Sequence, residues 1–68
     1  MPVISLTMGE GQTTIKQKKE LIETFTASAA EITGLPVQAF TILIQELAPT
    51  SIGVGGKTLT DLLASRNG

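Results

Sequence analysis

The residue of this sequence with the most direct chemical potential is Pro2. Its nitrogen becomes a free secondary amine if the initiator Met1 is removed, as small second residues generally allow. The residues that follow alternate, with Ile4, Leu6 and Met8 on one face, which predicts a β-strand with one apolar side. An amine fixed at the end of a packed strand can act as a general base. Met-Pro is also a common beginning for a protein, so this pair by itself assigns no role.

Composition excludes several other kinds of chemistry. The chain has no cysteine and no histidine, which rules out disulfides, thiolate nucleophiles, Ser-His pairs and the usual transition-metal site. We therefore expect no metal and no other cofactor. A net charge of −1 and 3% aromatic residues give no basic or stacking surface for nucleic acid. No apolar run has the length of a membrane span and no signal-peptide pattern is present, so we expect a cytoplasmic protein without a membrane partner.

Size and hydropathy together indicate self-association. The 68 residues allow one domain, 1–68, and a chain of this size buries only about 60% of its unfolded surface. Yet 41% of the residues are hydrophobic, only 16% are charged, and the mean hydropathy is +0.27. We expect part of the apolar surface to be buried against other copies of the chain.

A long helix follows the first strand and the turn at 9–12. Thr14 and Gln17 fit a capping box, which predicts a helix from Ile15 to Thr33 with an apolar stripe. Gly34 suits the position after the helix, and Pro36 prevents it from resuming. The segment 40–46 alternates again and predicts a second strand. The fold class expected is α/β (α+β), a βαβ unit with parallel strands and a right-handed crossover.

The C-terminal third is rich in glycine. Residues 51–58 end in Gly56-Lys57-Thr58 and approach the phosphate-binding loop pattern, but the first glycine of that pattern is replaced by Ser51. Such a loop needs a strand before it, a substantial helix after it and an acidic Mg²⁺ partner on another strand, but only ten residues follow Thr58 and the chain is too small for that sheet, so we reject nucleotide binding. The glycines instead favour a hairpin or a closely packed loop, followed by a short helix that begins at Thr58 or Thr60.

These pieces, in this order, resemble the 4-oxalocrotonate tautomerase family over nearly the whole chain. The matching features are Met-Pro before an apolar strand, Glu10-Gly11, Gln17-Lys18, Leu21-Ile22, Pro36, Ile44-Gln45-Glu46 and Gly53-Val54-Gly55-Gly56. The resemblance implies a βαβ subunit that dimerises into a four-stranded sheet, a homohexamer built as a trimer of dimers, and a small carbonyl or enol substrate.

The resemblance also implies that Pro2 is the catalytic base. An α-amino group titrates at about pH 7.7–8.0 in model peptides, and apolar surroundings lower its pKa because they disfavour the ammonium form. The neutral amine can then remove a proton α to a carbonyl and return it at another carbon. This chemistry needs no cofactor.

Three positions of the substrate site depart from the family pattern. Gln12 and Thr41 stand where the namesake enzymes have arginines, and Ile52 stands where they have a phenylalanine. Neutral side chains cannot replace the bidentate pairing of arginine with a carboxylate. We therefore expect a substrate less anionic than 2-hydroxymuconate, with Gln12, Thr41 and Ile52 as substrate-binding residues. Lys57 is the one cation near the glycine segment, and the sequence assigns it no role.

Two alternatives remain open at this point. One is a non-catalytic oligomer that keeps the fold. The other is a different reaction at the same proline, such as hydration, dehalogenation or decarboxylation, although the missing arginines count against these.

Overall fold

The computed structural model describes residues 1–66, without the side chain of Arg66. Two parallel strands are joined by a long helix. A hairpin whose two strands have two residues each follows them, and a short helix ends the described chain. The elements are β1 (Val3–Gly9), α1 (Ile15–Thr33), β2 (Thr41–Leu47), β3 (Gly53–Val54), β4 (Lys57–Thr58) and α2 (Leu59–Arg66), with single 3₁₀ turns at Val37–Ala39 and Pro49–Ser51. The predicted βαβ unit with a C-terminal hairpin and helix is confirmed.

The backbone of β1 is bonded to β2 along its whole length. The register is parallel and runs from the pair Val3–Thr41 to the pair Gly9–Leu47. Hydrogen bonds close both ends, from Thr41 N–H to the Pro2 carbonyl (3.0 Å) and from Glu10 N–H to the Leu47 carbonyl (2.9 Å). Both of these bonds involve even-numbered residues of the first chain segment, Pro2 and Glu10. Because alternate residues of a parallel strand bond to the same neighbour, the even-numbered residues of β1 are those that bond to β2. The odd-numbered residues of β1 therefore turn their N–H and C=O groups toward the free edge of the sheet.

The boundaries of α1 follow from its capping residues. The Thr14 hydroxyl accepts a hydrogen bond from Gln17 N–H (3.1 Å), and the Gln17 side chain accepts one from Thr14 N–H (2.9 Å). At the other end Gly34 adopts a left-handed conformation, with φ of 77°, and its N–H donates to the Ala30 carbonyl. The predicted helix from Ile15 to Thr33 and its capping box are confirmed.

Two sequence-based boundaries are refined. The second strand begins at Thr41 rather than Phe40 because the Phe40 N–H donates to the Val37 carbonyl and closes a 3₁₀ turn. Of the two candidate caps for the last helix, Thr58 is the one used, since its hydroxyl accepts a hydrogen bond from Asp61 N–H. The glycine segment forms a hairpin, as one of the two expected alternatives.

The described residues include no fully buried hydrophobic side chain. One face of the β1–β2 sheet, with Ile42 and Ile44, lies under α1 and is half-buried, whereas Val3 and Leu43 on the opposite face are more than half exposed. The radius of gyration is 15.7 Å, against about 11 Å for a compact domain of this length. A single copy therefore has one layer over one side of its sheet and leaves the other side open.

Between residues 1 and 66, neither helix combines the length and the apolar character that crossing a membrane requires.

Candidate active site

Pro2 lies immediately before β1 and is held by the first residue of β2. Its carbonyl oxygen accepts the Thr41 N–H, and its side chain is half-buried. Met1 beyond it is almost completely exposed, at 94%. The proline is therefore fixed through its carbonyl group, while its nitrogen lies at the outer end of the strand.

Gln12 and Ile52 meet at the opposite end of β1, beside Gly9. A Cβ atom at residue 9 would lie 3.3 Å from Gln12 Nε2 and 3.9 Å from Ile52 Cδ1. Gly9 is buried. A side chain there would require the end of Gln12 to shift by a few tenths of an ångström, whereas the separation from Ile52 is an ordinary van der Waals contact. We call these three residues the Gly9 cluster.

The predicted site residues thus fall into two groups. Pro2 and Thr41 occupy one end of the sheet, and the Gly9 cluster occupies the other. Pro2 and Gly9 are seven positions apart in extended chain, which corresponds to about 23 Å. One copy of the chain does not bring Pro2 together with Gln12 and Ile52.

An ion pair joins α1 to β2 on the covered face of the sheet. Lys18 Nζ donates to Glu46 Oε1, and each side chain is only 28% exposed. Met8, opposite Glu46 in the strand register, accepts a hydrogen bond from the Thr13 hydroxyl through its sulfur (3.5 Å). Lys18 is therefore occupied in holding the helix to the sheet.

Sequence reasoning missed both this ion pair and the role of Gly9. The ion pair had a signal, since the strand alternation places Glu46 on the same face as Ile42 and Ile44, where an apolar residue would be usual. Gly9 had none, because its use depends on where Gln12 and Ile52 return to the sheet.

Two open grooves flank α1, and neither includes Pro2. One, of about 390 Å³, is lined by residues such as Gln17, Leu21 and Phe25. The other, of about 410 Å³, includes Ile22, Val37 and Phe40. Within residues 1–66 there is also no group of three His, Cys, Asp or Glu side chains placed to hold a metal ion.

Comparison with known proteins connects this geometry to a family. The family model described as tautomerase enzyme matches residues 2–62. A probable tautomerase of Bacillus cereus is 41% identical over 61 residues, which cover 90% of this chain and 98% of the relative. A 2-hydroxymuconate tautomerase of Bacillus subtilis is 34% identical over 62 residues, or 91% and 98% of the two chains.

Two solved structures share the fold over nearly their full length. TomN, a 4-oxalocrotonate tautomerase homologue in the tomaymycin biosynthetic pathway, superposes with a TM-score of 0.89 at 34% identity and covers 96% of this chain and 98% of its own. A chain of a heterohexameric 4-oxalocrotonate tautomerase from Chloroflexus aurantiacus gives a TM-score of 0.82 at 35% identity, with 91% and 98% covered.

Proposed function

Because this chain belongs to the tautomerase family, we propose that it is a cofactor-independent isomerase that interconverts enol and keto forms of a small carbonyl compound. Pro2, exposed as the first residue after removal of Met1, is the general base. The observation that carries this proposal is the fixed position of Pro2, whose carbonyl is bonded to Thr41 at the end of the sheet.

The proton transfer balances within one cycle. The neutral Pro2 nitrogen accepts the proton of the enol hydroxyl, which leaves an enolate. As the carbonyl double bond forms, the electron pair of the carbon–carbon double bond becomes available for a new C–H bond. The resulting ammonium then gives the proton to carbon, which regenerates the amine. While Met1 is attached, the Pro2 nitrogen is a tertiary amide without a basic lone pair, so the activity depends on its removal.

The free edge of β1 supports assembly through a second copy. Val3, Ser5 and Thr7 direct their backbone groups toward this edge, and an unpaired edge is a template for another strand. Antiparallel pairing of β1 with β1 of a second copy sets the Pro2 end of one chain beside the Gly9 end of the other. Such a dimer has a four-stranded sheet and brings Pro2 to Gln12 and Ile52 of the neighbour.

Further association of dimers covers what the dimer leaves exposed. The open sheet face with Val3 and Leu43 remains uncovered by α1, and large exposed apolar surfaces are typical of interfaces. We propose a homohexamer arranged as a trimer of dimers. The Chloroflexus aurantiacus relative is a heterohexamer, which supports six subunits.

The substrate in this proposal is less anionic than 2-hydroxymuconate. Gln12 and Thr41 offer neutral hydrogen-bond donors, and Ile52 offers an apolar wall. Two arginine–carboxylate pairs would be lost relative to the namesake enzymes, whereas a single carbonyl oxygen can still be bound by neutral donors.

A non-catalytic oligomer that keeps the fold is the second candidate, because Gln12 and Thr41 supply no positive charge to stabilise a developing oxyanion. The test uses protein shown by intact mass to lack Met1 and follows ketonisation of phenylenolpyruvate. Pro2→Ala should lower kcat/KM by about 10²–10⁴-fold, the usual contribution of a general base. The control Lys16→Gln, on the outer side of α1, should match the wild type. Equal activity of Pro2→Ala and wild type would reject the proposed mechanism.

A further inference from the structure

The hairpin after Ile52 is closed by a tight turn and tied back to Ile52. Val54 pairs with Lys57 in antiparallel register, and Gly55 and Gly56 between them have φ of 63° and 85°. The Leu59 N–H donates to the Ile52 carbonyl at 2.8 Å, which extends the hydrogen-bonded ladder by one step beyond the pair Gly53–Thr58. Ile52 and Leu59 are therefore opposite one another.

This register puts Lys57 on the same face of the hairpin as Ile52. Alternate residues of a strand share a face, so Ile52 and Val54 lie together. Directly paired residues also share a face, which adds Lys57 to this side. Lys57 is then the diagonal neighbour of Ile52, at about 7–8 Å between Cα atoms, a separation that long side chains bridge.

Ile52 belongs to the Gly9 cluster, since its Cδ1 atom lies against Gly9 beside Gln12. The hairpin face that carries Ile52 and Lys57 is therefore the face turned toward this cluster. Lys57 is exposed and has no ion-pair partner within residues 1–66. Lys18, in contrast, is paired with Glu46. Lys16 lies two residues from Lys18, on roughly the opposite side of α1, because the helix turns about 100° per residue. The hairpin therefore carries an exposed cation on the face that includes Ile52, the residue that lies against Gly9 beside Gln12.

We propose that Lys57 binds the carboxylate of the substrate in this site, which makes the substrate a monocarboxylate enol or its 2-keto acid. This inference rests on the proposed function, in which the Gly9 cluster of one copy completes the site around Pro2 of another. An ammonium is a single point charge without the fork of a guanidinium. It suits one carboxylate, and the neutral Gln12 and Thr41 leave a second carboxylate without a partner.

The experiment compares binding of two matched probes, cinnamate and its neutral amide cinnamamide, to the full chain lacking Met1. Lys57→Gln should weaken cinnamate binding by about tenfold, as expected for loss of a charged hydrogen bond. It should change cinnamamide binding by less than about twofold. Lys57→Arg should retain most of the affinity for cinnamate, and Lys16→Gln, which removes the same charge elsewhere, should leave both affinities unchanged. Added salt should weaken cinnamate binding to the wild type and not to Lys57→Gln.

Three results would overturn the proposal. The first is that Lys57→Gln binds cinnamate as tightly as the wild type does. The second is that Lys57→Gln loses affinity equally for cinnamate and cinnamamide. The third is that the wild type binds cinnamate and cinnamamide equally well. Pro2→Ala separates this proposal from the proposed function. If Lys57 is the carboxylate contact, Pro2→Ala still prefers cinnamate, whether or not Pro2 proves to be the base.

Discussion

The backbone N–H of Thr41 donates a 3.0 Å hydrogen bond to the carbonyl oxygen of Pro2. The residue before β1 is thus anchored to the first residue of β2, and the bond leaves the proline nitrogen uninvolved. Proline has no N–H to lose from the ladder, so its place at the start of a strand has no hydrogen-bonding cost. If Met1 is removed, this arrangement holds Pro2 in place through its carbonyl group and leaves its nitrogen free.

We expect the protein to have no stable folded monomer. The described chain has no buried hydrophobic side chain, and its accessible surface of 5147 Å² exceeds the roughly 4,100 Å² typical of a folded monomer of 7.1 kDa. Sedimentation velocity at micromolar concentration should show an oligomer. A compact species of 7.1 kDa that unfolds cooperatively would contradict this expectation.

Ser5→Pro tests which edge forms the dimer. The Ser5 N–H faces the free edge of β1, so proline removes a bond to a second copy and none to β2. We expect Ser5→Pro to shift sedimentation toward smaller species. In Leu6→Pro the lost N–H is one that bonds to β2, and this variant should instead lose the fold, as measured by circular dichroism. An unchanged oligomer in Ser5→Pro would place the dimer interface elsewhere.

The Lys18–Glu46 ion pair should stabilise the packing of α1 on the sheet by about 1 kcal/mol. We expect a coupling free energy between those of exposed and buried ion pairs, because both side chains are 28% exposed. The measurement is a double-mutant cycle of Lys18→Met and Glu46→Gln in urea at one fixed protein concentration, since unfolding is coupled to association. Additive losses, with no coupling free energy, would show that the pair contributes nothing.

Restoring the two arginines should change specificity. An arginine–carboxylate contact in a desolvated site contributes roughly 1.5–3 kcal/mol, so the absence of two should lower kcat/KM for a dicarboxylate by about 10²–10⁴-fold. Gln12→Arg combined with Thr41→Arg should selectively raise turnover of 2-hydroxymuconate relative to phenylenolpyruvate. The comparison requires both substrates with wild type and the double variant.

The arginine prediction is contradicted if wild type already converts 2-hydroxymuconate at a typical enzyme efficiency. Lys57 can supply one carboxylate contact, so a second cation would then have to bind the other carboxylate. The side chain of Arg66, a candidate from the sequence, lies outside the described part of the chain.

The elements of this fold were predictable from local signals. The capping box of Thr14 and Gln17 and the left-handed Gly34 fix α1 through contacts within a few residues, which is why its boundaries could be read from the sequence. Phe40 shows the limit, because its extended backbone suits a strand and only its hydrogen bond to Val37 excludes it from the ladder.

The site was less predictable because it depends on long-range placement. Gln12, Thr41 and Ile52 could be chosen only by resemblance to the family, and their distribution between two ends of the sheet appears only in three dimensions. The proximity of Gln12 and Ile52 at Gly9 joins residues forty positions apart. No periodicity encodes such a contact.

The central claim is that the Pro2 nitrogen is the base, and its titration tests this most directly. On protein without Met1, labelled with ¹⁵N at proline, the Pro2 signal is followed against pH beside the pH–rate profile for phenylenolpyruvate. Apolar surroundings should hold the pKa of this amine below the ordinary α-amino value of about 7.7–8.0. Since only the neutral form accepts a proton, kcat/KM should rise with pH through that same pKa. A rate that does not follow the Pro2 titration, or that rises at a different pH, would contradict the assignment.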